Sequence, residues 1–494
     1  MKKLLISALI AGLPGMAMAD AKGDEIAKLK AQLEALQAQM QQLQQAVDAA
    51  TAAKSPEADD ANAELKQRVA GMEMKVDKLS TDASEGPIAG LSITGYLDPT
   101  YLASRVGKSS GFQFVNHSNQ YAYTNSTFGD VYLDIKKTFG VGPLAPSAEI
   151  TIMPNRGSGN NLLTSGGNSS AGNNIINTAV INFPLSDTTQ LVGGLMNSFG
   201  GYEVQQSNQM NTITHGLLYD FSDPGNYVGA GFNWSHDVWA TKFMIANEQF
   251  HTNPNSASDA NGQTHSNSTP TVTGRVDYTM TSNLDIGGSM NVGRQSLYAH
   301  TNSITGNADG TYGYQGTSSS AYSAYYFGEL DLTLTGTDSV YNAEIDYGNQ
   351  KQAAWNGGDA VWYGFSLLAH QKWNSDWFGR MGATLRYDYL NDSKNGGGGG
   401  GVALGSGTNY GGVDGTNGFG ISQACFNSST TNGTDCSGAT RQALTAALLF
   451  YPTDQLTLKM EVRHDWANRD VFVRSDGNYR KSNDIFAAQA VYSF

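Results

Sequence analysis

The chain has 494 residues, of which 58 are glycine and 12 proline, with 10% aromatic residues and a formal net charge of −14. The acidic balance argues against a nucleic-acid partner, which calls for basic patches, and no later segment offers the roughly 18 consecutive apolar residues of a transmembrane helix. A mean hydropathy of −0.36 suits soluble domains, and it equally suits transmembrane strands that alternate apolar and polar residues.

Residues 1–19, MKKLLISALIAGLPGMAMA, carry Lys2 and Lys3, an apolar run from Leu4 to Leu13 and small residues at Ala17 and Ala19. This is the pattern of a secretory signal peptide cut after Ala19. Within 20–54, Ile26, Leu29, Leu33, Leu36, Met40, Leu43 and Val47 follow alternating spacings of 3 and 4. So narrow a seam predicts a coiled coil rather than an amphipathic helix packed on a globular domain. Residues 55–90 hold the Ser55-Pro56 break, a second short helical run (Leu65, Val69, Met72, Val76, Leu79) out of phase with the first, and the linker SEGPIAG.

From Leu91 to Phe494 the period becomes two. LSITGYL, VYLDI, YVGAGFNW, VTGRVDYTM, GELDLTL, VYNAEIDY, RMGATLRYDY and LTLKMEV all alternate. Single segments of this kind say little, but a long series of them, each near ten residues, predicts a barrel. Very short connections (SHD, TSN, GTDS, PTDQ) alternate with long ones at 104–126, 155–174, 250–269, 296–319, 391–438 and 468–482. Outer-membrane barrels show this alternation of periplasmic turns and outer loops. Reading THGLLYDF (214–221) as a strand gives 17 strands and puts a long connection on the turn side. Treating 198–225 as one third loop restores the alternation. The predicted fold is therefore an all-β transmembrane barrel of about 16 antiparallel strands, preceded by an α-helical coiled coil that lies in the periplasm. The third loop carries Phe199, Tyr202, Leu217, Leu218, Tyr219 and Phe221, and is expected to pack inside the barrel. The final FAAQAVYSF alternates up to Phe494, which is expected to close the last strand against the first.

Cys425 and Cys436 lie in a Gly/Ser/Thr/Asn-rich loop with no histidine at metal spacing. In an exported protein they are expected to form a disulfide, with two free thiols as the alternative. No His-x-x-x-His pair occurs, and GGGGGG at 396–401 is followed by no lysine or helix-forming run. The chain is read as neither an enzyme nor a holder of cofactor or metal. Alternation places Arg380, Arg386, Arg441, Lys459 and Arg463 on the lumen wall, together with Glu329, Asp331, Glu344 and Asp346. The third loop contributes Glu203, Asp220 and Asp223, which could face the basic wall residues across a constriction.

Signal peptide, coiled coil and barrel together resemble proteobacterial outer-membrane porins that carry an N-terminal coiled coil. GGLMNSFGGYEVQQSNQMNTITHGLLYD is similar to the third-loop region of OmpL-like β-barrel porins and, more distantly, of phosphate-selective porins. Phe199, Gly200 and Glu203 would hold the places of their F-G-x-E-like turn, with one residue more between Gly200 and Glu203. Phosphate-selective relatives line the path with Lys and Arg; this loop has neither, so that specificity is not carried over. The resemblance implies a passive channel for small polar solutes or ions in the outer membrane, and trimers aided by residues 26–47. Phe494 resembles the C-terminal aromatic read by the barrel-assembly machinery. With 20 Lys/Arg and 31 Asp/Glu between Leu91 and Phe494, a weak cation preference is expected. The alternative is an outer-membrane anchor that tethers the cell wall or another periplasmic partner through the coiled coil.

Overall fold

In the computed structural model, the described residues are 89–114, 128–153, 176–248, 257–258, 264–265, 269–296, 322–354, 358–398, 413–414, 419–421 and 437–494. The expected signal peptide, the coiled coil, nearly all of the linker and the cysteine pair lie outside them. The chain divides into two units. The smaller comprises residues 1–92 and 136–145; within it, Thr138 N–H donates to Gly90 O at 2.9 Å. The larger comprises 93–135 and 146–494 and is a barrel.

Its sheet contains β1 (Leu91–Leu97), β2 (Thr100–Ser104), β3 (Ser109–Gln113), β4 (Val131–Thr138), β5 (Ser147–Ile152), β6 (Ile176–Pro184) and β7 (Thr189–Met196). A short helix, α1 (Leu217–Phe221), precedes β8 (Tyr227–His236), β9 (Trp239–Glu248), β10 (Thr271–Thr281) and β11 (Leu284–Ser296). The remainder is β12 (Tyr322–Thr335), β13 (Ser339–Gln350), β14 (Ala360–Ser375), β15 (Gly379–Asn391), β16 (Thr440–Phe450), β17 (Leu456–Ala467) and β18 (Ser482–Ser493). β2 pairs with β3 and β1 with β4, successive strands from β5 onward pair antiparallel, and β18 returns to pair with β1 and β2. The sheet therefore closes on itself. Eighteen strands make 16 staves, because β1 continues into β2 across Asp98-Pro99 and β3 continues into β4 as halves of single staves. Phe494 N–H donates to Gly95 O at 3.0 Å, and Gly95 N–H to Phe494 O at 2.9 Å. The last residue is thus held in the closing ladder.

The sequence reading treated 104–126 as one outer loop, but the chain turns back within it. Ser109–Gln113 pairs with β2 in the register Thr100↔Gln113 to Ser104↔Ser109. The segment SSGFQ has a single large apolar residue, Phe112, which points outward, too little alternation to announce a strand.

Each stave shows two faces because successive side chains point to opposite sides. On β12, Tyr326 and Leu330 are exposed while Phe327, Glu329 and Asp331 are buried. On β13, Ile345 and Tyr347 are exposed, with Glu344 and Asp346 buried. The outward face is apolar all round, with Ile181, Phe232, Ile245, Leu367, Leu385 and Val462 among its exposed residues. Aromatics cluster at both of its rims. Trp377 and Phe378 lie at the β14–β15 turn, Trp239 at the β8–β9 turn and Phe494 on the same side, while Tyr326, Tyr347 and Tyr363 mark the opposite rim.

The apolar core lies inside the barrel, toward the long-loop end. Leu217, Leu218 and Phe221 of α1 pack with inward-facing Leu102, Tyr325, Trp362, Leu390 and Ile485. Leu217, Leu218 and Phe221 of the 198–225 segment lie in this cluster, and Leu217–Phe221 is helical rather than extended. Five residues of LLYDF are too few to show helical periodicity in the sequence, and their conformation is set by the surrounding wall.

Candidate functional site

The chain leaves β7 at Met196 and crosses the lumen before re-entering the wall at Tyr227. Its contacts reach most of the circumference. Ser207 Oγ donates to Asp98 Oδ2 at 2.6 Å, and Asn177 Nδ2 to Gln205 Oε1 at 2.7 Å. Arg275 Nη1 donates to Phe199 O at 3.1 Å, and Tyr202 N–H to Glu344 Oε2 at 3.0 Å. The Tyr202 and Ser366 hydroxyls lie 2.8 Å apart.

The densest contacts fall on β15 and β17. Lys459 is buried, and its ammonium donates to three loop carbonyls, Ser207 O (2.6 Å), Met210 O (2.8 Å) and Thr212 O (3.0 Å). Glu461 accepts from Ile213 N–H at 2.5 Å and from Thr214 Oγ1 at 2.6 Å. Arg463 Nη1 donates to His215 O at 2.6 Å. Arg386 Nη1 lies 2.6 Å from Glu203 Oε1 and 2.9 Å from Thr214 O, while Glu203 Oε2 accepts from Gly216 N–H at 2.6 Å. A loop crossing a lumen must find partners for its backbone groups, and a lysine, a glutamate and two arginines of the wall provide them.

The predicted residues therefore divide. Glu203, Arg386, Lys459 and Arg463 meet at the loop–wall junction. Arg441 pairs with Asp465 at 2.8 Å, its guanidinium 5.1–5.5 Å from the ring centres of Phe221, Phe419 and Phe472. Arg380 lies apart at the turn end of β15, over the Tyr451 ring at 5.6 Å. Glu329 and Asp331 form ion pairs with Arg275 at 2.9 and 2.6 Å. Asp223 lies with Glu344 and Asp346, their ligand oxygens all within 4.8 Å of one another. Asp220 is buried on α1. Burial pushes its carboxyl up to about 7 against the pull of Arg463. His215 stacks on Tyr219 at 4.0 Å, and its Nε2 lies 3.0 Å from Val204 O. Burial pushes its imidazole down to about 3.

The sequence reading missed a repeated element. Arg-x-Asp followed by an aromatic occurs as Arg275-Val-Asp277-Tyr278, Arg386-Tyr-Asp388-Tyr389 and Arg463-His-Asp465-Trp466. In each, the two charges share the inward face and the arginine Nε holds its own strand's aspartate, at 2.7, 3.1 and 3.0 Å. On β12 and β13 the same place is filled by Glu329-Leu-Asp331 and Glu344-Ile-Asp346. Cross-strand register runs Asp277–Gly287–Asp331–Glu344–Ser366–Asp388, so four acids share one belt across six adjacent staves. Arg275 reaches this belt over Gly287, where a Cβ would stand only 2.0 Å from its Nη2. The spacing of two is visible in the sequence, and its recurrence as Arg-x-Asp-aromatic on separate strands is the signal that would have found this element.

A family model described as "Protein of unknown function (DUF3138)" matches residues 1–59 and 53–494. No curated protein matches the chain. Among solved structures, the anion-selective porin from Comamonas acidovorans aligns at 10% identity with a TM-score of 0.46, covering 82% of this chain and 99% of that one. OmpF of Salmonella typhi, solved with daunomycin, aligns at 9% and 0.44, covering 82% and 97%. OccK3 of Pseudomonas aeruginosa aligns at 7% and 0.38, covering 82% and 95%.

Proposed function

This chain belongs to the DUF3138 family, and we propose that it is an outer-membrane porin, a passive channel for small polar solutes and ions. The observation that carries this reading is a closed barrel of 16 staves with an apolar outer face, aromatic residues at both rims and a charged lumen crossed by its third loop. Closure pairs the edges of the sheet, as a bilayer demands, and rim aromatics suit the two membrane interfaces. Polar lumen residues away from the loop junction, such as Asp134, Glu149, Asn182 and Asn233, are only partly buried, as water in the lumen would allow.

The acidic excess of the barrel favours cations weakly, most at low salt where screening is slight. We read no catalysis in the lumen. Trimers aided by the N-terminal heptads, and insertion by the barrel-assembly machinery through Phe494, belong to the same reading.

One observation favours the alternative of a structural anchor working through the N-terminal segment. The third loop hydrogen-bonds to staves around most of the wall, as a plug would. Planar-bilayer recordings separate the two. A porin opens stable steps and shows a small positive selectivity for K⁺ over Cl⁻ in a KCl gradient; a plugged anchor gives none.

A further inference from the structure

Three staves carry Arg-x-Asp, and each has its own internal cation. Two neighbouring staves carry Glu-x-Asp, and they have none. On β12 and β13, Glu329 stands directly opposite Asp346 and Asp331 directly opposite Glu344. Like charges in direct cross-strand register are destabilising. Arg275 answers half of this patch through Glu329 and Asp331, and it already holds Asp277. Nothing comparable answers the other half. Among the described residues no ion pair is made by Asp223, Glu344 or Asp346. The loop instead adds Asp223 to the two wall acids.

Two further observations point to a ligand at this place. Asp346 is 5% exposed, and neither of its carboxylate oxygens has a hydrogen-bond partner. Ser222 is fully buried, and its hydroxyl lies beside Asp346 without reaching hydrogen-bond geometry. Buried groups of this kind are ordinarily satisfied. The loop backbone comes close because Gly201, at φ +71°, has no side chain; a Cβ there would stand 2.8 Å from Asp223 and 2.9 Å from Glu344.

We propose that Asp223, Glu344 and Asp346 bind a divalent cation of the calcium class, which takes the place of the arginine on these staves and pins the third loop to the wall. Calcium accepts several carboxylates at about 2.3–2.6 Å, so oxygens on opposite sides of the ion stand about 5 Å apart, and the three groups fit within that span at 4.8 Å. Magnesium usually keeps several of its waters, and the burial of Asp346 and Ser222 leaves little room for them. Ser222 Oγ and the second carboxylate oxygens supply further hard donors.

The test is calorimetric titration of the full-length protein in detergent with CaCl₂ after chelator treatment. Chemically refolded protein without lipopolysaccharide is used, so that lipid phosphates do not contribute. One Ca²⁺ per chain is expected, with affinity lowered at least about tenfold in Asp346→Asn and in Glu344→Gln. Heat-modifiable gel mobility confirms that each variant is a folded barrel. If these wall variants fail to fold, Asp223→Asn on the loop gives the same comparison. Absence of binding to the wild-type protein up to about 1 mM, the weak end of extracellular calcium sites, would overturn the proposal and leave shared protons as the neutralising species. Equal binding by wild type and variants would overturn it too. The readout does not require a conducting pore, so it stands or falls separately from the porin reading.

Discussion

At the scale of single residues, the lumen is a set of charges that depend on one another. Arg386 is fully buried between Glu203 and Asp388, and removing one partner of such a pair leaves an uncompensated buried charge at a cost of about 3–5 kcal/mol. Arg386→Ala should therefore release the loop, and exchange of the amides of residues 212–216 should rise at least about a hundredfold. The double variant Glu203→Gln/Arg386→Met should cost less than Arg386→Ala alone; a larger cost would mean that the pair is not what holds the loop. His215 gives a second test. Its folded pKa of about 3 lies below the ordinary 6.5, so it leaves loop docking unaffected above pH 6.5. Docking is weakened as pH falls, by about 2 kcal/mol at about pH 5. Asp220, held up at about 7 against an ordinary 3.8, works the opposite way, since its cost to docking is greatest above pH 7 and shrinks on acidification. Comparison with His215→Gln isolates the first effect. The ratio of loop exchange rates, wild type over variant, should grow as pH falls from neutral to about 5, and a constant ratio would show that His215 takes up no proton.

At the scale of elements, the third loop sets how much of the lumen remains. Replacing residues 203–221 by a short Gly/Ser linker should leave the barrel closed, because β7 and β8 pair directly from Thr189↔Trp234 to Met196↔Tyr227. Conductance of that variant should rise several-fold, and unchanged conductance would place the restriction elsewhere. Replacing Glu203, Asp220 and Asp223 with Gln or Asn should lower cation preference if these groups border the path. The staves were legible in the sequence because transmembrane strands repeat one rule over about ten residues, with short turns between. The inward loop was legible from apolar residues in a segment whose place in the alternation required a connection. The helical form of Leu217–Phe221, the turn back at Ser109 and the partner of each charge were not legible. They are set by contacts between residues far apart in the chain, such as Lys459 with Ser207 and Glu461 with Ile213. The N-terminal heptads make their own prediction, that deleting residues 20–84 weakens the oligomer without unfolding the barrel. A wild-type protein that runs as a monomer in mild detergent would remove the trimer from the account.

At the scale of the whole molecule, two features point in different directions. A closed barrel with an apolar exterior and a charged lumen fits the proposed passage of water and solutes across a membrane. A loop hydrogen-bonded around most of that lumen is built to restrict them. A porin with a narrow, polar path reconciles the two, and an anchor with a permanent plug reconciles them differently. The direct measurement is the current through single full-length proteins in a planar bilayer, at low KCl and under a salt gradient. The porin account predicts stable unitary steps of small conductance with a reversal potential on the cation side, and larger steps once residues 203–221 are replaced. A folded protein that inserts yet passes no current, or one that strongly prefers chloride, would contradict it.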